Sequence, residues 1–557
     1  MSLEGKIDVL INNAGVGITG PLEELNSEKV VENFATNCFG PLNLIQAVLP
    51  HMRKQKSGTI INVTSIGGYM GLPFRGAFSA SKSAFMTMTE SLRMEVKEFG
   101  IKDITIFEKA DGVGGTWRDN SYPGLHCDVP SHHYTYSFER NPNWSNYYSS
   151  GPEIREYFEG IFFKNDLDQI CLFKTEIISL SFKEGVWEIT TNKSQTYKAD
   201  FVIGATGVLH HPHLPDIEGI KNFNGDKFHS ARWDHELSLK DKKIGIIGSG
   251  STGIQIVSAL SGKCKHLYHF QRTAQWMMPL ENGSFSDEEK LSFQDPKNLS
   301  EAMNFEEYFN AVEIYSQALL DKDSIGANEI AFACKENLEK NIHNEELKKR
   351  LTPDHTPLCK RLIWSSDYYP AIQKPECTLI TDPIKKIINE GIELSDNNVI
   401  DLDVIVFATG FKVDQFLRPI KTSGIDGIYL DDYWKEYPKA YLSIAIPKFP
   451  NLFLLNGPNG PVGNFSLIDI AEQQMNYILE LIKIIRKRQC HIDVKTDITE
   501  TYERDRAAAA KKTVWYTGGC TSWYLNAAGI PASWPWTYKD FKKEMSKPDL
   551  EAFELIE

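Results

Sequence analysis

No stretch of this chain approaches the ~18 uninterrupted apolar residues that a spanning helix needs, so no membrane span is expected. The opening MSLEGKIDVL lacks a basic segment followed by a long apolar core, and a secretory signal is not expected either. C-x-x-C spacing is absent. The nine cysteines lie far apart, which predicts reduced thiols in a cytoplasmic protein rather than a disulfide framework or a zinc site. There is no excess of positive charge: 60 Lys and Arg stand against 74 Asp and Glu, for a net charge of -14 and a pI near 5.6. The basic residues are scattered, which argues against nucleic acid and anionic membranes as partners but leaves room for local binding of small anions such as nucleotide phosphates. Internal repeats are missing, and the short Ala507–Ala510 run is the sole low-complexity tract. Nothing in the sequence sets the oligomeric state.

What is present is a chain of 557 residues, 41% apolar and 24% charged, too long for one hydrophobic core. Strand-like runs recur at 7–12, 58–64, 103–108, 199–206, 243–248 and 402–408, most followed by turn signals and helical patterns, which reads as α/β. Two unlike compositions meet near residue 100. Beyond it lie an antiparallel-looking stretch (about 171–200) and a polar helical insert (about 285–350).

Residues 8–20, DVLINNAGVGITG, contain the letters G-x-G-x-x-G at Gly15, Gly17 and Gly20. A phosphate-cradling loop should open a helix of small residues, with an acid ~20 residues further on a strand. Here Gly20 is followed by Pro21, Glu23 and Glu24, and no such acid follows. The segments IDVLINNAG, ATNCFGPL, GTIINVTSIGG and AFSASKSAF, in that order, resemble the short-chain dehydrogenase/reductase family over about 95 residues. The resemblance makes Asn37 the structural Asn, Ser65 the substrate-orienting Ser and Lys82 the Lys that lowers a tyrosine pKa. The tyrosine position is Phe78, which has no proton to give, and the family's own Gly-rich cofactor turn would precede residue 1. Reductase activity is therefore not expected, and residues 1–100 read as a partial Rossmann-type fragment with a structural or vestigial role.

From residue 101, DITIFEKADGVGGTWRDNSYPGLHCDVPSHHYTYSF resembles the flavoprotein monooxygenases, specifically the type I Baeyer–Villiger group. FNGDKFHSARWD (223–234) carries that group's fingerprint at Phe223, Gly225, His229, Trp233 and Asp234. The resemblance implies two nucleotide-binding Rossmann-like domains, for FAD and for NADP. It divides the chain into a dehydrogenase-like fragment (1–100), a first FAD-binding part (101–235), an NADP-binding domain with the insert (236–400), and a second FAD-binding part with an aromatic tail (401–557). It implies oxygen insertion into a ketone with NADPH and O2 through a C4a-peroxyflavin. N- or S-oxygenation is the alternative, and a catalytically impaired hybrid that binds NADP only is another.

The NADP loop also stands on its own chemistry. KKIGIIGSGSTGIQIVSAL is strand, glycine turn (Gly248, Ser249, Gly250, Ser251, Thr252, Gly253) and small-residue helix. The next strand ends in Gln271, Arg272 and Thr273 instead of an acid, which favours a 2′-phosphate and hence NADPH. For FAD, Glu108 ends the strand DITIFE, where it would accept from a ribose. The resemblance adds Thr116, Trp117, Asp119, Asp128 and Tyr134 near the flavin, Ile177 and Leu467 more loosely, and Lys360 as an NADP contact. Arg361 is the catalytic candidate, with Asp128 modulating it: a permanent guanidinium charge stabilises an anionic oxygen. Trp515, Trp523 and Tyr524 in TVWYTGGCTSWYLNAAG are either substrate-side aromatics or core.

One part is missing. The strand and glycine loop for FAD should lie within residues 70–95, where SKSAFMTMTESLRMEVKEFG stands instead. A β–α–β crossover (58–64, 77–98, 103–108) would preserve the shape of that unit without its pyrophosphate cradle, so weakened or absent flavin binding is expected.

Overall fold

A computed structural model describes residues 7–55, 58–65, 71–96, 104–461, 463 and 465–556. Residues 66–70 and 97–103, on which the expected meeting of two compositions near residue 100 partly falls, lie outside them. The chain divides into two compact units, Met1–Ile106 and Phe107–Glu557.

In the first unit, the strands Val9–Asn12 and Thr59–Asn62 pair in parallel, Val9 opposite Thr59 and Asn12 opposite Asn62. Parallel neighbours need a long crossover, and the helix Gly40–Gln55 supplies it. That helix buries Ile45, Val48, Leu49 and Met52, and Cys38 and Phe85 complete the small core. The helix Ser27–Phe34 starts at Asn26, whose side chain accepts from the N–H groups of Glu28 and Lys29. Among the described residues Thr59–Asn62 pairs with Val9–Asn12, whereas Ile106–Phe107 pairs with Cys171–Leu172, so the anticipated three-part crossover is not among the pairings found.

The second unit is built around a five-stranded sheet, all parallel, in the order Cys377–Ile380, His266–Phe270, Lys243–Ile247, Val404–Phe407, Asp226–His229. Strands covered on both faces are continuously apolar, as KIGII and VIVF are. Ile244, Ile246, Val404 and Val406 are fully buried, packed with Ile254, Ile256 and Val257 of the helix Ser251–Leu260. A second set of strands forms two separate pairs: Ile106–Phe107 with Cys171–Leu172, and Val202–Gly204 in parallel with Leu452–Leu454. The antiparallel stretch is a meander of Ile177–Lys183, Val186–Thr191 and Thr196–Ala199. Five helices occupy the insert: Asp287–Ser292, Pro296–Met303, Phe305–Leu320, Ile325–Asn341 and Glu345–Leu351. No helix among the described residues is long and apolar enough to cross a membrane.

The cysteine expectation needs a correction. Cys359 and Cys520 form a disulfide across 161 residues of chain; the other seven are free thiols. No local spacing announces this bond, because the fold, by returning the C-terminal segment to residues 355–362, is what brings the two together.

Candidate active site

The three glycines of the 248–253 turn are needed for three different reasons. Gly248 has φ +121°, and a Cβ there would strike the Ala408 carbonyl. A Cβ on Gly253 would strike the Gly248 carbonyl, while Gly250 faces open space, where a ligand backbone can approach. The helix Ser251–Leu260 has no side-chain cap, so its first N–H groups are left for an anion. The Ser249 hydroxyl donates to the Thr273 carbonyl at 2.8 Å and ties the turn to the end of the neighbouring strand. His269, fully buried, bridges Tyr368 (Nδ1 to the hydroxyl, 2.8 Å) and the Gly248 carbonyl (Nε2, 3.0 Å). Burial pushes its pKa down to about 4, so it is a neutral imidazole. Nε2 donates to the carbonyl, and Nδ1 accepts from Tyr368.

At the end of the His266–Phe270 strand lies a cavity of about 240 Å³ lined by Arg272, Thr273, Arg350, Thr352, Asp354 and Thr381. Arg350 is locked by bonds to the Leu379 carbonyl and, at 3.2 Å, to the Thr381 hydroxyl. The Lys360 ammonium is held below its usual pKa by burial and then by the nearby Arg272 charge. Arg272 and Lys360 thus lie near one another, with the Asp354 carboxylate as the opposing charge at the same pocket. The turn and this pocket together fit a phosphorylated dinucleotide.

On the other side, Gly114 (φ +109°) and Gly115 (φ +48°) turn the chain into the short helix Thr116–Asp119. Trp117 Nε1 donates to the Tyr134 hydroxyl at 3.1 Å, and their rings meet edge to face. Asp119 accepts from Arg118 at 2.7 Å and lies 3.7 Å from Arg232 of the 223–234 segment. Glu108 Oε1 accepts from the Ala110 N–H at 2.7 Å. Asp128 Oδ2 accepts from Arg361 Nη2 at 2.6 Å, closing a contact between residues 233 positions apart. The Asp128 charge, ahead of other influences, pushes the Arg361 pKa up. Arg361 keeps 34% of its side-chain surface open, so the guanidinium is anchored yet reachable. Ile177 and Leu467 pack into two other apolar clusters, around Trp187 and around Tyr477. Trp515 and Tyr524 are buried, 2% and 3% exposed, whereas Trp523 is 41% exposed.

Tyr122 and Gln255, which no motif marks, stitch the two nucleotide regions together. The Tyr122 hydroxyl donates to Gln255 Oε1 at 2.9 Å and lies 3.3 Å from the Thr252 hydroxyl; Gln255 Nε2 donates to the His126 carbonyl at 3.1 Å. The helix behind the glycine turn is thereby bonded to the segment that carries Asp128. The 223–234 segment acts as a strut. His229 bonds the Gly410 carbonyl at 2.9 Å and accepts from the Ala231 N–H, Gly225 lies too close to the Asp403 carbonyl for any Cβ, and Trp233 packs edge to face on Phe228.

The flavin region lacks one part that the five-stranded sheet has. Val202–Gly204 and Val404–Phe407 both run into Ala-Thr-Gly turns whose glycines share a φ, +72° at Gly207 and +77° at Gly410. Ala408 is buried against Gly248 of the central strand's turn, but Ala205, Thr206 and Gly207 are exposed. Among the described residues the strand paired with Val202–Gly204 is Leu452–Leu454, and no strand followed by a turn like Gly248–Gly253 is paired with it. The residues at the ring end fit a flavin; for its pyrophosphate, a second turn like Gly248–Gly253 following a strand of this set is not found among the described residues.

In the first unit, Asn37 lies in a π-helical turn (Ala35–Phe39), accepts from the Val16 N–H at 2.8 Å and donates to the Val16 carbonyl at 2.9 Å. Lys82 is buried and donates to the Val63 carbonyl at 3.2 Å, and burial lowers its pKa. The Gly15–Gly20 turn is thus braced by Asn37, and a short 3₁₀ turn bearing Glu23 and Glu24 follows it.

Comparison with known proteins follows the same division. The short chain dehydrogenase family description matches residues 1–107, and the flavin-binding monooxygenase-like description matches residues 89–287. A protein of Mycobacterium tuberculosis (strain ATCC 25618 / H37Rv) named an uncharacterized monooxygenase is 41% identical over 455 residues, 81% of this chain and 90% of that one. A Baeyer–Villiger monooxygenase of Streptomyces coelicolor is 34% identical over 474 residues, covering 83% of this chain and 90% of its own length. The solved structure of OTEMO in complex with FAD and NADP superposes with a TM-score of 0.73 at 25% identity, over 83% of this chain and 96% of that one.

Proposed function

Because this chain belongs to the flavin-binding monooxygenase-like family, we propose that it uses NADPH and a flavin to insert one atom of O2 into a ketone, as Baeyer–Villiger enzymes do, in the cytoplasm. The observation that carries this reading is the Asp128–Arg361 pair, bonded at 2.6 Å and open on one side. Flavin, when bound against Trp117 and Tyr134, supplies the reductive activation of oxygen. The protein's own part is electrostatic. Arg361 holds a permanent positive charge where negative charge develops on oxygen, first on the attacking group and then on the former carbonyl of the adduct. Asp128 fixes the direction of that charge and keeps the guanidinium from swinging into solvent. A preorganised donor of this kind contributes about 10²–10³ in rate. Arg272, Arg350 and Lys360 supply the charge for a 2′-phosphate, and the 248–253 turn holds the pyrophosphate.

The test is product analysis with NADPH, O2 and added FAD, offering a cyclic ketone and a sulfide in parallel. Ester or lactone formation supports the reading, and sulfoxide as the sole product turns it to heteroatom oxygenation. Arg361→Ala is expected to abolish oxygenated product while NADP binding persists. The exposed Ala205–Gly207 turn favours a second reading, a chain that binds NADP without turnover. NADPH binding with no oxidation at saturating FAD would establish that instead.

A further inference from the structure

The C-terminal segment contributes more than core to the region around Arg361. The Tyr524 hydroxyl, on a ring of the aromatic tail that is only 3% exposed, lies at the same corner as the guanidinium. Burial raises the Tyr524 pKa, so the group at neutral pH is the protonated phenol. Gly463 closes this corner: at φ +86° it carries no Cβ, and a Cβ there would overlap the Tyr524 hydroxyl and come within 3.1 Å of Arg361 Nη1. Arg361 is therefore met from opposite parts of the chain, bonded by Asp128 of the flavin-side segment and neighboured by Tyr524 of the tail. Tyr315, on the helix Phe305–Leu320, is the other titratable group that influences it.

The tail is fastened at one covalent point. The Cys359–Cys520 disulfide lies two residues before Arg361 and four before Tyr524. Around it, the Thr356 N–H donates to the Gly518 carbonyl at 3.0 Å, and Leu358, Cys359, Leu362, Val514, Trp515 and Tyr524 share one apolar cluster. Cys359 is fully buried and Cys520 partly exposed, so only the latter sulfur is open to attack.

We propose that Tyr524 is a positioning residue for Arg361, and that the Cys359–Cys520 disulfide staples the tail that presents it, making the setting of the arginine redox-dependent. Thiol–disulfide exchange with a dithiol releases the staple. A thiolate attacks Cys520 Sγ, Cys359 leaves as thiolate, and the second thiol of the reagent closes its own disulfide and frees Cys520. Two electrons and two protons pass from the dithiol to the protein. What the arginine's position means for turnover rests on the oxygenation reading above; the position itself does not.

The test therefore needs no flavin. Phenylglyoxal labelling of the protein as isolated, read at Arg361 by mass spectrometry, reports how firmly that guanidinium is held. Tyr524→Phe is expected to speed labelling of Arg361 about fivefold, the order expected when an ordinary polar interaction is lost. Labelling of Arg418, paired with Asp431 elsewhere, and NADP affinity are expected to stay as they are. Dithiothreitol is expected to speed Arg361 labelling in the wild type and to raise hydrogen exchange in residues 513–531. Cys520→Ser is expected to show both effects already and to gain nothing from the reductant. Unchanged Arg361 labelling in Tyr524→Phe, with Asp128→Asn responding as the control, overturns the role of Tyr524. Equal exchange and labelling before and after reduction overturns the staple. In flavin-loaded enzyme, Tyr524→Phe is expected to lower kcat and the fraction of NADPH converted to oxygenated product, with KM for NADPH unchanged. A loaded wild type that makes no product refutes the functional reading and leaves the labelling result standing.

Discussion

At the residue scale, two groups of opposite visibility govern the site. Arg361 is exposed enough to reach a ligand and is fixed by a carboxylate, so its charge is permanent and directed. His269 is buried and neutral, and its two ring nitrogens join the glycine turn to Tyr368. Its pKa is depressed to about 4 in the folded chain against 6.5 for the free group. Stability from keeping it neutral is thus present above pH 6.5 and is lost as pH falls from 6.5 toward 4, when the unfolded state takes up the proton first. The loss is at most about 3 kcal/mol. Thermal melts across that window should show a shallower pH dependence for His269→Gln than for the wild type.

At the scale of elements, the glycine turn separates folding from binding. Gly253→Ala sets a methyl against the Gly248 carbonyl, and its expected cost is about 1–3 kcal/mol of stability together with NADP affinity. Gly250→Ala meets nothing within 4 Å, so its melting temperature should match the wild type while NADP binding, followed by intrinsic fluorescence, weakens about tenfold or more. Equal loss of affinity in both variants through unfolding alone would show that the turn is not a cradle. The strut 223–234 explains why its pattern is short and strict: Gly225, His229 and Trp233 each meet a different neighbour, at Asp403, Gly410 and Phe228.

At the scale of the whole molecule, the second unit carries one complete nucleotide sheet and one interrupted set of strands. NADP should therefore bind with ordinary affinity and FAD weakly. The purified chain is expected to show substoichiometric flavin by visible absorbance, with more taken up at high FAD concentration. A fully flavinated preparation without added FAD would contradict this. The first unit keeps a braced Asn37 and a buried Lys82, yet Phe78 leaves it without a proton donor, so ketone reduction by NADPH in the absence of oxygen is not expected.

The local motifs were determined by sequence because their chemistry is local. A strand, a glycine turn and a helix lie within twenty residues, and the steric need for Gly248 and Gly253 arises from backbone only a few positions or one strand away. The same holds for the failed turn at Gly15–Gly20, where the following Pro21, Glu23 and Glu24 already rule out an anion site. Arg361 and Asp128 could be named from their motifs, but nothing in the sequence gives the 2.6 Å contact between them. Only the tertiary structure decided the contacts made by chain return: Arg350 in the cationic pocket, Tyr122 and Gln255 between the nucleotide regions, Tyr524 beside Arg361 at Gly463, and the disulfide between Cys359 and Cys520. These contacts span tens to hundreds of residues, and no periodicity or spacing encodes which distant side chains a packed core will bring together.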